Sequence, residues 1–485
     1  MAGEFTFCPY LMQEEKIRPP ARNSSFGNFL RTQRLRVLLL LALAFTVRAS
    51  VLIVRPEVAA DIRYRTTATN ILEGNGYSMD TRPPYRPSEA AVPVYPLFIA
   101  AVYTVFGRHE FVVKVLQVFV DLLTCLLVAF ISFSLAPAVL KSGAAIFSLI
   151  IYGVFSWPTI VWIPAILTET LALFFTVLTI ACCAVALRKG LRYWVAAGLA
   201  CGLAILTRPD SVLLLSAVVL FLMIRLACRR SRARASSVFG LCLGLALALA
   251  PWAVRNYVSL KKFQPLASEY GSAQEGYFPT GYLWWLRTWI TDETYFDYVF
   301  NPAWFPDTTF FDPDELPRRA YDSEEEHRLI VNLIARYNEA RHISPDLDEE
   351  FRDLANARIR RSPLRFFLLL PLHRAASMWL TGFSTSRPTP YVLILRILSV
   401  LPIHVGGALG LALWCRRRAL AALLLLIVLT RTIFMVYHYA PETRYMVEVY
   451  PPMIAACGVT AAAVWLYVRK FRSRIYRDMP AKATM

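Results

Sequence analysis

Several stretches of this chain carry acids and arginines at spacings suited to proton transfer and anion binding. "ADIRYRTTATNILEGNGYS", Ala60 to Ser78, sets Asp61 one helical turn before Tyr64, with Arg63 and Arg65 close by. In "DTRPPYRPSEAAVPVYPLF", Arg82 and Arg86 stand among prolines that hold the chain extended. A guanidinium presented on a rigid loop offers several donors in one plane, which suits a phosphate; lipid headgroups are the plainer partner for such arginines. Glu169 lies in "PAILTETLALF", where a carboxylate beside an apolar run is costly unless it is used or stabilised by a helix dipole. "LTRPDS" holds Arg208 and Asp210, which can simply pair with each other. "PWAVRNY" brings Arg255, and "HYAPETRYMVEVYPP" brings His438, Glu442, Arg444 and Tyr445. A carboxylate among arginines can take a proton from an attacking hydroxyl while the arginines neutralise a departing phosphate. The acids and histidines lack metal-ligand spacing: "DPDE", Asp312 to Glu315, has no calcium-type ligand series, so no metal is expected. Neither a phosphate-cradling glycine loop nor a nucleophile elbow is present.

The elements that position these groups are membrane helices. Of 485 residues, 56% are hydrophobic and 18% charged, with a mean hydropathy of +0.45, a balance foreign to soluble globular domains. Apolar runs at 36–54, 111–135, 142–157, 164–187, 191–207, 210–227, 236–253, 391–414, 419–437 and 447–468 predict about ten spans, within a range of about nine to twelve. Runs at 92–107 and 363–382 read as interfacial or re-entrant. Only without them do the basic clusters around Arg31, Lys141, Arg188, Arg229, Arg416 and Arg469 fall on one side, the cytoplasm. The formal charge of +18 is therefore topological, and a nucleic-acid partner is excluded. The expected organisation is a cytoplasmic tail (1–35), a membrane core including a first outer loop at 55–110 (36–253), a large outer loop (254–390), C-terminal spans (391–468) and a basic cytoplasmic tail (469–485). The N-terminal run reads as a retained signal-anchor, and no disulfide is expected among the nine cysteines. A multi-pass protein of a plasma (inner) membrane with its chemistry on the outer face is the result.

After the first span, Ala60, Tyr64, Ala68 and Ile71/Leu72 form an apolar stripe. They predict an amphipathic helix from about Val58 to Glu73, capped by Gly74, with Arg63 and Arg65 on its polar arc. On that spacing alone, Asp61 is as readily a solvated N-terminal acid as a functional one. In the large loop, Asp322–Arg361 reads as helical. Trp284, Trp285 and Trp289 suit either an interfacial belt or stacking on sugars. A transporter is disfavoured because no related halves are visible.

Together, Asp61-x-Arg63-Tyr64, "LEGNGYS", "VYPLF", "LTET", "GLACGLAILTRPD", "PWAVRNY" and "RYMVEVYPP" resemble, in that order, the GT-C membrane glycosyltransferases. The resemblance is to the group containing protein O-mannosyltransferases and the lipid A aminoarabinose transferase, and it covers about 30–270 and 390–470. It implies an all-α GT-C bundle and an inverting transfer of a sugar from a polyprenyl-phosphate donor to an acceptor hydroxyl on a lipid, glycan or protein. Asp61 would be the catalytic base. Arg82, Arg86, Arg255 and Arg444 would hold the donor phosphate. Arg63, Tyr64, Glu169, Arg208, Asp210, His438 and Glu442 would complete the site. The sequence departs from the pattern where many members have an acid after the aspartate, here Ile62. A lysine-proline-proline element is replaced by "RPPYRP". With no acidic pair beside Asp61, metal independence is expected.

Overall fold

The computed structural model describes residues 25–55, 61–89, 91–228, 232–267, 278–304, 310–381, 390–415, 418–438 and 442–478. In chain order its main helices are α1 (Arg34–Val54), α2 (Ile62–Leu72), α3 (Val94–Phe106), α4 (Glu110–Leu135), α5 (Ala138–Phe155) and α6 (Glu169–Lys189). They continue with α7 (Leu191–Ile205), α8 (Val212–Cys228), α9 (Arg232–Leu260), α10 (Thr280–Leu286), α11 (Glu324–Ala340) and α12 (Pro345–Arg361). The last three are α13 (Pro390–Trp414), α14 (Ala419–Tyr437) and α15 (Tyr450–Asp478). Among the described residues there is no strand.

Nine described helices are long and apolar enough to cross a membrane: α1, α4, α5, α6, α8, α9, α13, α14 and α15, the last with the short turn before it. The tenth expected span is α7, only 15 residues long, which packs between α6 and α9. Glycine makes that packing close: a Cβ on Gly198 would strike the Leu241 carbonyl oxygen, and one on Gly244 would strike that of Val195. The runs at 92–107 and 363–382 form the 13-residue α3 and a helical stretch with π turns at Arg365–Leu369 and Ser377–Thr381, and neither is among the nine. The main core joins α4 to α8 with α14 and α15. At one end of the bundle, Lys141 interacts electrostatically with Arg188 and Arg418, so three of the predicted basic clusters share that end.

The segment after α9 builds a lobe with its own core. Trp285 and Trp289 are fully buried there, against Phe351 and Tyr295, so they form neither an interfacial belt nor an open stacking platform. Trp284 is half-buried, donates to Asn356 and lies under Arg287. The predicted helical stretch is α11 and α12, broken where Arg341 takes a left-handed conformation. Asp348 of α12 accepts from the Gly281 and Tyr282 amides at the start of α10. Buried Arg374 ties the lobe to the bundle, donating to the carbonyls of Ile290, Arg287 and Val436. Burial lowers its pKa to about 10.

Candidate functional site

The predicted outer-loop helix exists but starts later than expected. Ala60 and the residues back to Pro56 lie outside the described residues, and Asp61 is the N-cap of α2, accepting from the Arg63 amide. The C-terminal end follows expectation, with Gly74 at φ +81° just past the last turn. The helix does not lie alone on a membrane surface. It packs on α3 and α6, burying Ala68 with Tyr64 and Ile71 against Tyr95, Ile99, Ile166 and Leu171. Nor do its arginines fan outward. Arg63 folds back over Asp61, with Nε 3.0 Å from both carboxylate oxygens, and Arg65 pairs with Glu110. Hydrogen bonding to Asp61 holds the Arg63 guanidinium above its ordinary value.

Tyr64 faces inward. Its ring meets that of Tyr95 edge-on at 5.2 Å, and its phenol interacts with the charges of Asp61, Arg63, Glu169 and Arg208. Burial first, then Asp61, pushes it up to about 12, so it stays protonated at neutral pH. Tyr95 donates to Gln117 Oε1 at 2.7 Å, and Gln117 donates to the carbonyls of Ile163 and Ala165, on the approach to Glu169. α2 is thus supported directly above the start of α6.

Beneath Tyr64 lies a buried charge cluster. Arg208 is 3.0 Å from Glu169, 3.1 Å from Asp210 and 3.9 Å from Glu448, with its guanidinium over the Tyr445 ring. The expected Arg208–Asp210 pair is therefore real, but it belongs to something larger. Arg431 of α14 lies 2.6 Å from both Asp210 and Glu448 and donates to the Tyr445 carbonyl. Arg431 and Glu448 escaped the sequence reading; their signal was a charge inside an apolar run. Three carboxylates thus face two arginines. Glu169 Oε2, Asp210 Oδ1 and both oxygens of Glu448 lack a hydrogen bond among the described residues, although all three residues are ion-paired.

The turn before α15 closes the site. Glu442 pairs with Arg444, whose guanidinium lies over Tyr445 and interacts electrostatically with Arg63, Glu169 and Arg208. His438 packs its ring edge-on against Tyr445 at 6.0 Å. The structure therefore brings Asp61, Arg63, Tyr64, Glu169, Arg208, Asp210, His438, Glu442 and Arg444 to one end of the bundle.

The other predicted phosphate arginines lie apart from that cluster. Arg82 and Arg86 are exposed on the proline loop, and Arg86 is held by Asp80 at 3.2 Å. That pairing holds Asp80 below the usual carboxylate range. Arg255 donates to the carbonyls of Tyr77 and Ser88 and lies over the adjoining rings of Tyr77 and Trp252. Its hydrogen bonds fasten the first loop to the end of α9. Among the described residues no group of three or more His, Cys, Asp or Glu side chains is arranged to hold a metal ion.

The result is an all-helical bundle with short helices and a separate lobe at the charged end. Residues 86–254 match the family model described as dolichyl-phosphate-mannose-protein mannosyltransferase. The fold is similar to that of the Archaeoglobus fulgidus oligosaccharyltransferase tethered to an acceptor peptide containing the NVT sequon. The TM-score is 0.51 at 13% identity, over 94% of this chain and 52% of that one. The apo form of the same enzyme gives 0.51 at 15% identity, over 93% and 52%. This chain thus spans about half the length of those structures. ArnT from Cupriavidus metallidurans also matches, with a TM-score of 0.38 at 14% identity over 92% of this chain and 81% of that one. No curated protein matches the sequence.

Proposed function

We propose that the protein is an inverting glycosyltransferase that moves a sugar from a polyprenyl-phosphate donor to an acceptor hydroxyl of a lipid, glycan or protein. The observation that carries this reading is the seating of Asp61, Arg63 and Tyr64 over the Glu169–Arg208–Asp210–Arg431–Glu448 cluster in a fold of GT-C type. The sequence match over residues 86–254 supports it. Asp61 takes the proton of the acceptor hydroxyl as that oxygen bonds to the anomeric carbon. The bond to the phosphate oxygen breaks on the opposite face, and its electron pair stays on the phosphate. Arg444 stabilises the charge that develops there. Arg82 and Arg86, at the exposed rim, meet the donor headgroup or its membrane first, and Arg255 serves by holding the loop. Glu169, Arg208 and Asp210 form the floor under Tyr64, with Glu442 and His438 positioning Arg444 and Tyr445. Orientation of the two substrates supplies much of the acceleration, and no metal is required. The site faces outward from a plasma membrane, with both termini in the cytoplasm.

The test is mass spectrometry of envelope lipids, glycans and glycoproteins from cells with and without the gene, and with Asp61→Asn. A sugar-bearing product that depends on the gene, and is lost with Asp61→Asn, is expected. Undiminished product with Asp61→Asn would overturn Asp61 as the base.

A further inference from the structure

Asp61 does not stand ready as a free base. Its carboxylate sits in the fork of Arg63: Oδ2 is 2.5 Å from a terminal guanidinium nitrogen, and both oxygens accept from Nε. The acid side chain is only 16% exposed while the arginine is 42% exposed, so Arg63 is the more accessible partner of the pair. The same arrangement recurs beside it. Arg444, 32% exposed, is held by Glu442, 10% exposed. The two arginines sense each other as like charges, and Arg444 also senses Arg208 below. A phosphate offers more acceptor oxygens than a carboxylate and can take the guanidinium plane that one carboxylate now covers.

We infer that the donor phosphate and the Asp61 carboxylate alternate on Arg63, so that Asp61 is released to act as base only once a phosphate has taken its place. This rests on the glycosyltransferase reading above and deepens it. The charges balance through the cycle. The donor is a phosphodiester with one negative charge. When the phosphate displaces Asp61 from Arg63, the carboxylate is left facing the acceptor hydroxyl. The acceptor oxygen bonds to the anomeric carbon, its proton passes to an Asp61 oxygen, and the leaving phosphate becomes a monoester with a second charge. Neutral Asp61 then no longer competes for Arg63, so the more highly charged product is held until it departs. Loss of the proton to water returns Asp61 to Arg63. Without a donor, the base remains masked.

The experiment measures the affinity of undecaprenyl phosphate for the purified full-length protein and its variants. Asp61→Asn removes the competitor, yet asparagine caps a helix as well as aspartate, so α2 is retained. Affinity in that variant rises about twofold to fivefold, the scale of a half-exposed ion pair. Arg63→Gln weakens binding by a similar factor or more. In the Arg63→Gln background, the gain from Asp61→Asn disappears, because both act through one guanidinium. Unchanged or weaker binding in Asp61→Asn overturns the inference, as does a gain that persists in the double variant, which would be general relief of negative charge. Should Asp61→Asn fail to fold, Glu442→Gln carries the same expectation through Arg444, and unchanged binding there overturns the inference. Loss of sugar transfer with unmoved affinity sinks the exchange alone, whereas retained transfer in Asp61→Asn sinks the catalytic reading itself.

Discussion

Arg48 and Asp121 meet between α1 and α4, deep in the bundle, while Arg208 and Arg431 meet Glu169, Asp210 and Glu448 at the end beneath α2. Both groupings are arginines and carboxylates buried among membrane helices. Around Arg48 every charge is accounted for: Nε donates to Asp121 at 2.7 Å, another nitrogen donates to the Ala44 and Gly153 carbonyls, and Tyr152 donates to Asp121 at 2.7 Å. One cation matches one anion, and neither side chain is left with an unbonded polar atom. The bonds to Tyr152 and Gly153 fix a π turn at Ile151–Phe155, directly ahead of the segment that leads to Glu169. The cluster under α2 is different in kind. It has one more acid than base, several carboxylate oxygens without a hydrogen bond, and half-exposed Arg63 and Arg444 above it. A saturated pair in an apolar interior holds structure, whereas unsaturated charge beneath half-exposed arginines is the arrangement suited to chemistry.

The comparison can be broken in three ways. The largest effect is expected at the saturated pair. Arg48→Met leaves Asp121 as an uncompensated buried charge and should cost about 3–5 kcal/mol, seen as a lower thermal midpoint of the purified protein. Adding Asp121→Leu should restore most of it, since removing both charges is far less costly than removing one. A single variant as stable as wild type would show that the pair is not a structural fastening. Next comes Glu169→Gln. The amide oxygen can still accept from Arg208, so the midpoint should move little, while sugar product falls about tenfold or more. If stability and product fall together, the two clusters do not differ as argued. The smallest effect is expected at Arg86→Ala. Its pair with Asp80 is solvent-exposed and screened, so the midpoint should not move measurably. Any strong loss there would mean that the proline loop is held by that pair and not by Arg255.

How much of this was readable varied residue by residue. Asp61 and Glu169 were legible because each marks the start of a helix beside an apolar run, and Arg208 and Asp210 because they share a short turn. Their common location was legible as well, since alternate ends of successive spans must lie on one side. Arg431, Glu448, Arg48 and Asp121 were visible as charges within apolar runs, but nothing local says which partner each meets. Arg431 and Asp210 are 221 positions apart, and Arg48 and Asp121 are 73 apart. The tryptophans of α10 illustrate the reverse error: composition suggested a surface, and packing placed two of them in a core.

What the sequence determined by itself is what hydrophobic length and local spacing dictate: the membrane class, the approximate number of spans and the helix after the first span. Each follows from a cost that neighbouring residues settle among themselves, the exposure of apolar surface or of backbone polar groups. What only the tertiary structure decided is which charges are neutralised and which remain available. That depends on side chains from α1, α4, α6, α14 and the turns between helices meeting in space. A buried guanidinium takes whichever carboxylate the packed helices bring within about 3 Å. Asp61 shows both levels at once: its place at the head of α2 was written locally, and its seat over the Arg208 cluster came from the fold.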